Sequence, residues 1–263
     1  MAGKVHLIGA GPGDPELLTM RALRLIRTAD VVVHDRLVSP EIMALIPATT
    51  RRESVGKASG FHSVPQDRIN ALLVDLARQG LRVARLKGGD PLIFGRGSEE
   101  AEALREAGIP YDYTPGITAA QAVSASTGVP LTHRGLASGV RYITGHRAAD
   151  GPLELDWQSL ADPDATLVVY MGAATIALIA MELIAHGLPA DTPVMAVASA
   201  STPNEARLLS VLDRIGADIA AQPMPAPVLF VIGRVVSLYA DAALPLPAEL
   251  AAQAAPHLRV AHG

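Results

Sequence analysis

Short β-branched runs separated by stretches of helical period run through this sequence, and nothing narrows its fold more. Val5 to Ile8, Val31 to His34, Arg82 to Leu86, Val140 to Thr144, Thr166 to Met171, Val194 to Ala198 and Val228 to Ile232 read as strands. Their alternation with helical segments is the pattern of parallel βαβ units, and so of an α/β fold. Pro65 to Gly80 shows how a helix is read between two of them. Pro65 suits the first helical position, Ile69, Leu72, Leu73 and Leu76 fall on one face, and Gly80 is a stop.

The periodicity lapses between Leu131 and Gly139, which places a seam there. It divides the chain into an N-terminal α/β domain, 1–133, carrying glycine-rich loops, and a second α/β domain, 134–241. Residues 242–263, with Pro245, Pro247 and Pro256, read as an Ala/Pro-rich tail. A chain of 263 residues can bury a core in either arrangement and needs no covalent staple. It has no cysteine, which excludes disulfides, thiolate metal sites and a cysteine nucleophile together. A reducing, cytoplasmic setting is compatible with that. The net charge of -4 gives the whole chain no drive toward a polyanion, and 3% aromatic residues disfavour nucleic-acid binding by base stacking. Mean hydropathy is +0.28, yet charge interrupts every apolar run before it reaches the roughly 18 residues of a membrane span. The N-terminus passes from Lys4 directly into a strand, too short and polar for a signal peptide. No internal repeat of fixed period stands out.

Gly9-Ala10-Gly11-Pro12-Gly13-Asp14-Pro15 follows the first strand and precedes a helix around Leu17 to Ile26, the position of a dinucleotide-binding turn. Asp30 and Asp35 lie near the usual distance for a ribose-binding acid, so a nicotinamide-dependent oxidoreductase is a rival reading. Against it, Asp14 and Pro15 stand where the third glycine of that motif belongs. An aspartate capping the helix would occupy its positive end and repel a pyrophosphate. The loop is therefore expected to bring backbone close to something without phosphate, or simply to reverse the chain.

A second cluster, Lys87-Gly88-Gly89-Asp90-Pro91 followed by Ile93-Phe94-Gly95-Arg96-Gly97, comes after another strand. Two glycine turns after two strands put exposed amides and carbonyls at the carboxyl edge of one sheet, where open α/β folds bind ligands. An adenosine with an amino-acid end suits such a surface. Asp90 can accept from a ribose or an amine, or cap the turn before Pro91. Arg51, Arg52, Lys57, Arg96, Arg134, Arg141 and Arg147 fall near expected loops. Arginines converging on one cleft would hold a polycarboxylate, whereas each alone is a solvated surface charge.

These motifs resemble the uroporphyrinogen-III C-methyltransferases of the tetrapyrrole methylase group, almost collinearly from Val5 to Leu238. The segments that carry the resemblance are Gly9 to Asp14, His34 to Val38, Val55-Gly56-Lys57, His62 to Gln66, Gly88 to Glu100, Pro115 to Ala120, Pro130 to Arg134, Thr144-Gly145-His146 and Tyr170-Met171-Gly172. The resemblance implies two α/β domains with the methyl donor, S-adenosylmethionine, in the cleft between them, a homodimer, and no metal. It implies donor contacts at Pro12, Gly88, Gly89, Asp90, Ile93, Thr118, Ala119 and Met171. It also implies a proton acceptor at Asp35, a proton donor at Lys57, and contacts with the tetrapyrrole at Arg96, Glu99, Arg134 and His146. The activity implied is transfer of two methyl groups to C2 and C7 of uroporphyrinogen III, giving precorrin-2 by way of precorrin-1, with S-adenosylhomocysteine as by-product. Methylation of a later corrinoid precursor is the nearest alternative. Nothing resembles the dehydrogenase and ferrochelatase module of bifunctional sirohaem enzymes, so methylation is the one activity expected. The product could feed sirohaem, cobalamin or haem d1.

Two positions depart from the family pattern. Ala200 stands where relatives carry a glycine, so its methyl would crowd the adenosine or demand a different backbone angle. Val228 replaces an alanine after Pro227, a change that a main-chain contact to adenine would survive. Read without the resemblance, Met171 would be core, His146 structural, Lys57 a surface amine and Asp35 a turn carboxylate.

Overall fold

The computed structural model describes residues 3–56, 64–146 and 151–239. The chain divides into two compact units, Met1–Ala122 with Ala200–Pro203, and Val123–Ser199 with Asn204–Gly263. The division falls ahead of the stretch read as a seam, and a short segment from the later half returns to the first unit.

In the first unit the chain order is β1 (Lys4–Gly9), α1 (Met20–Thr28), β2 (Val31–His34), α2 (Pro40–Met43), β3 (Arg51–Ser54), α3 (Gln66–Arg78), β4 (Arg82–Lys87), α4 (Gly97–Glu106) and β5 (Tyr111–Thr114), then the start of α5 (Ala119–Thr127). The strands form one sheet in the order β3-β2-β4-β1-β5, parallel throughout. Its central strands are buried on both faces, which is why they read as short, mostly apolar runs, although β4 also buries Arg85 and Lys87. Val5, Leu7, Val31, Val33 and Val83 pack with Ile69, Leu73 and Leu76 of α3 and Ala101 and Leu104 of α4. Ile8, Val32, Ala84 and Leu86 face the other way, onto Ala22, Leu25 and Ile26 of α1 and Ile42 of α2. Pro65 occupies the cap position of α3, one residue ahead of the helix, and Gly80 closes the element with φ +84°.

The second unit runs β6 (Gly139–Thr144), α6 (Trp157–Leu160), β7 (Ala165–Tyr170), α7 (Ile176–Ala185), β8 (Pro193–Ala198), β9 (Ala206–Val211), α8 (Ile215–Ala221) and β10 (Val228–Ile232). The sheet order is β6-β7-β10-β8-β9. Here the expectation of parallel units needs correction: β6 and β7 are parallel, but β10 runs antiparallel to both β7 and β8, and β8 to β9. Val169, Val194, Ala196 and Phe230 pack against Ile179 and Leu183 of α7 and Ile215 of α8.

Three strands escaped the sequence reading, β3, β5 and β9, and all three lie at sheet edges. An edge strand has one neighbour and exposes part of its length, so Arg-Arg-Glu-Ser and Tyr-Asp-Tyr-Thr can form strands without an apolar run. The tail at 242–263 lies outside the described residues.

Candidate functional site

At the carboxyl edge of the first sheet, the loops after β1, β4 and β5 touch backbone to backbone. Ala10 N–H donates to the Lys87 carbonyl at 2.7 Å. Gly11 and Gly89 exchange two hydrogen bonds, of 3.1 and 2.7 Å. A Cβ on Gly9 would lie 2.5 Å from the Gly116 nitrogen and 2.6 Å from the Gly89 oxygen, so only glycine admits this approach. Asp90 ties the edge together with its side chain. One carboxylate oxygen accepts from Leu92 N–H at 2.8 Å and the other from Gly116 N–H at 3.0 Å. Of the two alternatives for Asp90 these bonds show the cap: it closes its own turn and also clamps a second loop. Gly88 packs against Leu37, where a Cβ would be 2.8 Å from that side chain's own Cβ. Gly89 differs, with φ +67° and open space where a Cβ would stand.

From Asp90 the chain coils into α4 through left-handed residues that are not glycine, Phe94 at φ 53° and Arg96 at φ 57°. Such angles cost about 1 kcal/mol or more each and persist where the surroundings enforce them. Gly97 supplies the room, since a Cβ there would lie 2.5 Å from the Pro91 carbonyl oxygen. Ile93 is half-buried in this coil. Arg96 and Glu99, predicted to face substrate, are joined by two hydrogen bonds of 2.8 and 2.7 Å. That pairing holds the Glu99 carboxyl below the usual carboxylate range. Both side chains are about half exposed, so the pair adds little to stability.

The first glycine loop also behaves differently from its sequence reading. Asp14 caps only a three-residue 3₁₀ turn, Pro15–Leu17, accepting from Glu16 N–H at 2.8 Å, while Thr19 caps α1. Pro12 is half-buried between Gly11 and Gly13, both at positive φ, +71° and +136°. Thr202 closes on this loop, its methyl 2.8 Å from where a Cβ of Gly13 would be. Ala200 is buried, and the left-handed angles fall on its neighbours Ser199 and Ser201 at 49° and 62°. Alanine at 200 therefore needs no special backbone angle. Thr118 is buried just ahead of α5, and Ala119, the first residue of that helix, is half-buried. Asp35 follows β2, and one of its oxygens accepts from Leu37 N–H at 2.9 Å. Lys57 and Arg147 lie outside the described residues.

Sequence reasoning missed a buried charge cluster beneath this edge. Glu100, fully buried on α4, accepts from Lys87 Nζ at 2.7 Å and Arg85 Nε at 3.0 Å, both through Oε1. Its Oε2 has no hydrogen-bond partner among the described residues. Burial, and then the charge of Arg85, push the Lys87 amine below the usual lysine range, while Glu100 and Asp35 oppose the shift. The one available signal was alternation: Arg85 and Lys87 share the strand face of Val83, which packs on α3 and α4.

The second unit welds its own strand ends similarly. Gly145 N–H donates to the Tyr170 carbonyl at 2.7 Å, and Thr175 Oγ1 donates to the Gly145 carbonyl at 2.8 Å. Met171 follows β7 in a left-handed conformation, φ 54°, and is 51% exposed, so the core assignment that its apolar run invites is wrong. Val228 opens β10, buried opposite Ala198. Arg134 stands exposed on the turn Thr132–Ser138, which lines a recess with Asp164. His146 is exposed. Arg141 is held by Ser159 and Asp162, and Arg51 by Glu53, so these two basic residues serve local structure. Among the described residues no group of three His, Asp or Glu could hold a metal ion.

Comparison with known proteins places the whole chain. The model of the tetrapyrrole (corrin/porphyrin) methylases matches residues 4–216. The chain is 66% identical over 243 residues to a uroporphyrinogen-III C-methyltransferase of Paracoccus denitrificans, covering 92% of this chain and 85% of that protein. It is 49% identical to a sirohaem synthase of Hahella chejuensis over 90% of its own length but spans only 50% of that protein. Among solved structures, a Thermus thermophilus uroporphyrin-III C-methyltransferase complexed with S-adenosylhomocysteine aligns over 90% of this chain and 100% of that one, with a TM-score of 0.78 and 40% identity.

Proposed function

Because this chain belongs to the tetrapyrrole methylases, we propose that it is an S-adenosylmethionine-dependent C-methyltransferase that methylates uroporphyrinogen III twice, at C2 and C7, to give precorrin-2. The observation that carries the reading is the glycine edge of the first sheet. Its backbones are fused at Gly9, Gly89 and Gly116, and it leaves open space at Gly89 in a chain 66% identical to a uroporphyrinogen-III methyltransferase. An uncharged surface of amides and carbonyls suits adenosine and an amino-acid end, and the capped Asp14 turn offers no helix terminus to a pyrophosphate.

S-adenosylmethionine supplies a methyl already activated by the positive sulfur, so the protein's task is alignment and exclusion of water. Pro12, Gly88, Gly89, Asp90, Ile93, Thr118, Ala119, Met171, Ala200 and Val228 are assigned to the donor. Arg96, Glu99, Arg134 and His146 are assigned to the carboxylate-bearing tetrapyrrole. Arg96 is engaged by Glu99 through an exposed pair worth about 1 kcal/mol or less, so a substrate carboxylate can displace Glu99 at small cost. As a pyrrole carbon forms its bond to the methyl, the electron pair of the breaking carbon–sulfur bond stays with sulfur. The ring system then loses a proton, and Asp35 is assigned to accept it. Lys57, the family's proton-donor position, is assigned to the substrate side, with binding of a carboxylate arm preferred to acid catalysis. The same reading carries domains at 1–133 and 134–241, a homodimer and a cytoplasmic location. No described helix is long and apolar enough to cross a membrane.

The test is to incubate purified protein with S-adenosylmethionine and anaerobically prepared uroporphyrinogen III and to weigh the product. A gain of two methyl groups supports the reading; an unchanged tetrapyrrole with the donor unconsumed refutes it.

A further inference from the structure

The buried cluster beneath the glycine edge carries one cation more than its own structure requires. Arg85 and Lys87 have 3% and 5% of their side chains exposed, and Glu100 has none. Both cations converge on a single carboxylate oxygen. Two buried cations on one carboxylate leave a net positive charge, and an uncompensated buried charge is among the costliest features a fold can carry. Arg85 and Glu100 alone would already form a balanced pair. The surplus belongs to Lys87, so stability does not account for it, and its counter-charge must be sought outside the cluster.

The sheet register points to that counter-charge. β2 and β4 run parallel with Val33 opposite Arg85 and His34 opposite Leu86. Asp35 is the next residue after His34, as Lys87 is after Leu86, so continuing the register by alternation would set Asp35 beside Lys87, without an ion pair within 4.0 Å between them. Asp35 is only half-buried, and one of its oxygens is fixed by Leu37 N–H at 2.9 Å. The groups acting on Lys87 are Glu100 and Glu99 from α4, Arg85 from its own strand, and Asp35 from the loop after β2. Asp35 is the one of these carboxylates that lies beyond β2 rather than on α4.

We infer that Lys87 is a positioning residue for methyl transfer: its ammonium, seated on Glu100, attracts the carboxylate of Asp35 across the carboxyl edge of the sheet and so orients it. The inference rests on the reading of Asp35 as proton acceptor. Lys87 does not touch substrate. It acts through Asp35, and its position directly before Gly88 couples the carboxylate to the loop assigned to the donor.

The experiment is a double-mutant cycle on the full chain with Lys87→Met, Asp35→Asn and the pair, reading kcat, the KM for each substrate, donor affinity and Tm. Lys87→Met is expected to lower kcat roughly tenfold, to leave donor affinity and both KM values within about twofold, and to leave Tm unchanged or raised. In the Asp35→Asn background, adding Lys87→Met is expected to change kcat no further. Additive losses would overturn the inference while leaving Asp35 as acceptor. Full kcat in Asp35→Asn would refute the acceptor assignment and the inference with it, while two-methyl product formation would still support the methyltransferase reading. Should Lys87→Met not fold, Lys87→Gln, which keeps a donor to Glu100 without the charge, takes its place in the cycle. Failure of both to fold would overturn the inference, because the argument requires the Arg85–Glu100 pair to suffice.

Discussion

Replacing Gly9 by alanine tests the welded edge most directly, because the backbone there is ordinary strand and the whole effect is steric. The added methyl would stand 2.5 Å from the Gly116 nitrogen, 2.6 Å from its Cα and 2.6 Å from the Gly89 oxygen, whereas real Cβ contacts almost never fall under 3.0 Å. All three obstacles are backbone atoms and cannot rotate away, so the β4 and β5 loops must both retreat. Overpacking of this kind costs about 1–3 kcal/mol, and the retreat strains the Gly11–Gly89 pair and the Gly116–Asp90 bond by about 1 kcal/mol more. A total near 3 kcal/mol corresponds to a fall in Tm of roughly 6–12 °C for a chain of this size. Donor affinity, measured by calorimetry, should fall at least tenfold, since the displaced loops hold Gly88 to Asp90. A Tm within a degree or two of wild type, with unchanged donor affinity, would refute the claim that these backbones are in obligatory contact.

Gly89→Ala separates structure from ligand: its Cβ meets open space but demands φ +67°, so a stability loss of about 1 kcal/mol should accompany a much larger loss of donor binding. Equal, small effects on both would show that the space is not the donor's. Asp90→Ala removes the acceptor of two backbone amides and should lower both Tm and donor affinity, with Asp90→Asn intermediate in a thermal-shift series. Arg96→Ala should leave Tm and donor affinity nearly untouched and raise the KM for uroporphyrinogen III; parallel loss of both affinities would contradict the division of roles. The depressed Lys87 amine also predicts a pH effect. Between its lowered pKa and the ordinary lysine value the unfolded chain binds the extra proton, so this group's contribution to stability grows as pH rises through that window. Any Tm advantage of Lys87→Met near neutrality should therefore shrink toward pH 10, and a constant advantage in parallel melts would refute the account.

What the linear sequence determined was the buried centre. β2 and β10 were readable residue for residue, and β1, β4 and β8 nearly so, because a strand covered on both faces is mostly apolar, Arg85 and Lys87 of β4 being buried exceptions. The glycine clusters were legible too, since close approach of backbones admits no other residue. Tertiary structure alone decided the rest. Edge strands such as Arg51–Ser54 owe their conformation to a single neighbour, and the antiparallel course of β10 depends on partners far along the chain. Met171 ends an apolar run yet is exposed, and Arg96 faces Glu99 in an exposed pair. Lys87 borders and Glu100 ends the segment Gly88 to Glu100 that helps carry the resemblance, but spacing cannot show that a strand end and a helix turn meet over one carboxylate oxygen. Burial on both faces is written locally in composition, whereas the direction of a strand and the pairing of a charge are settled only when distant segments compete for the same space.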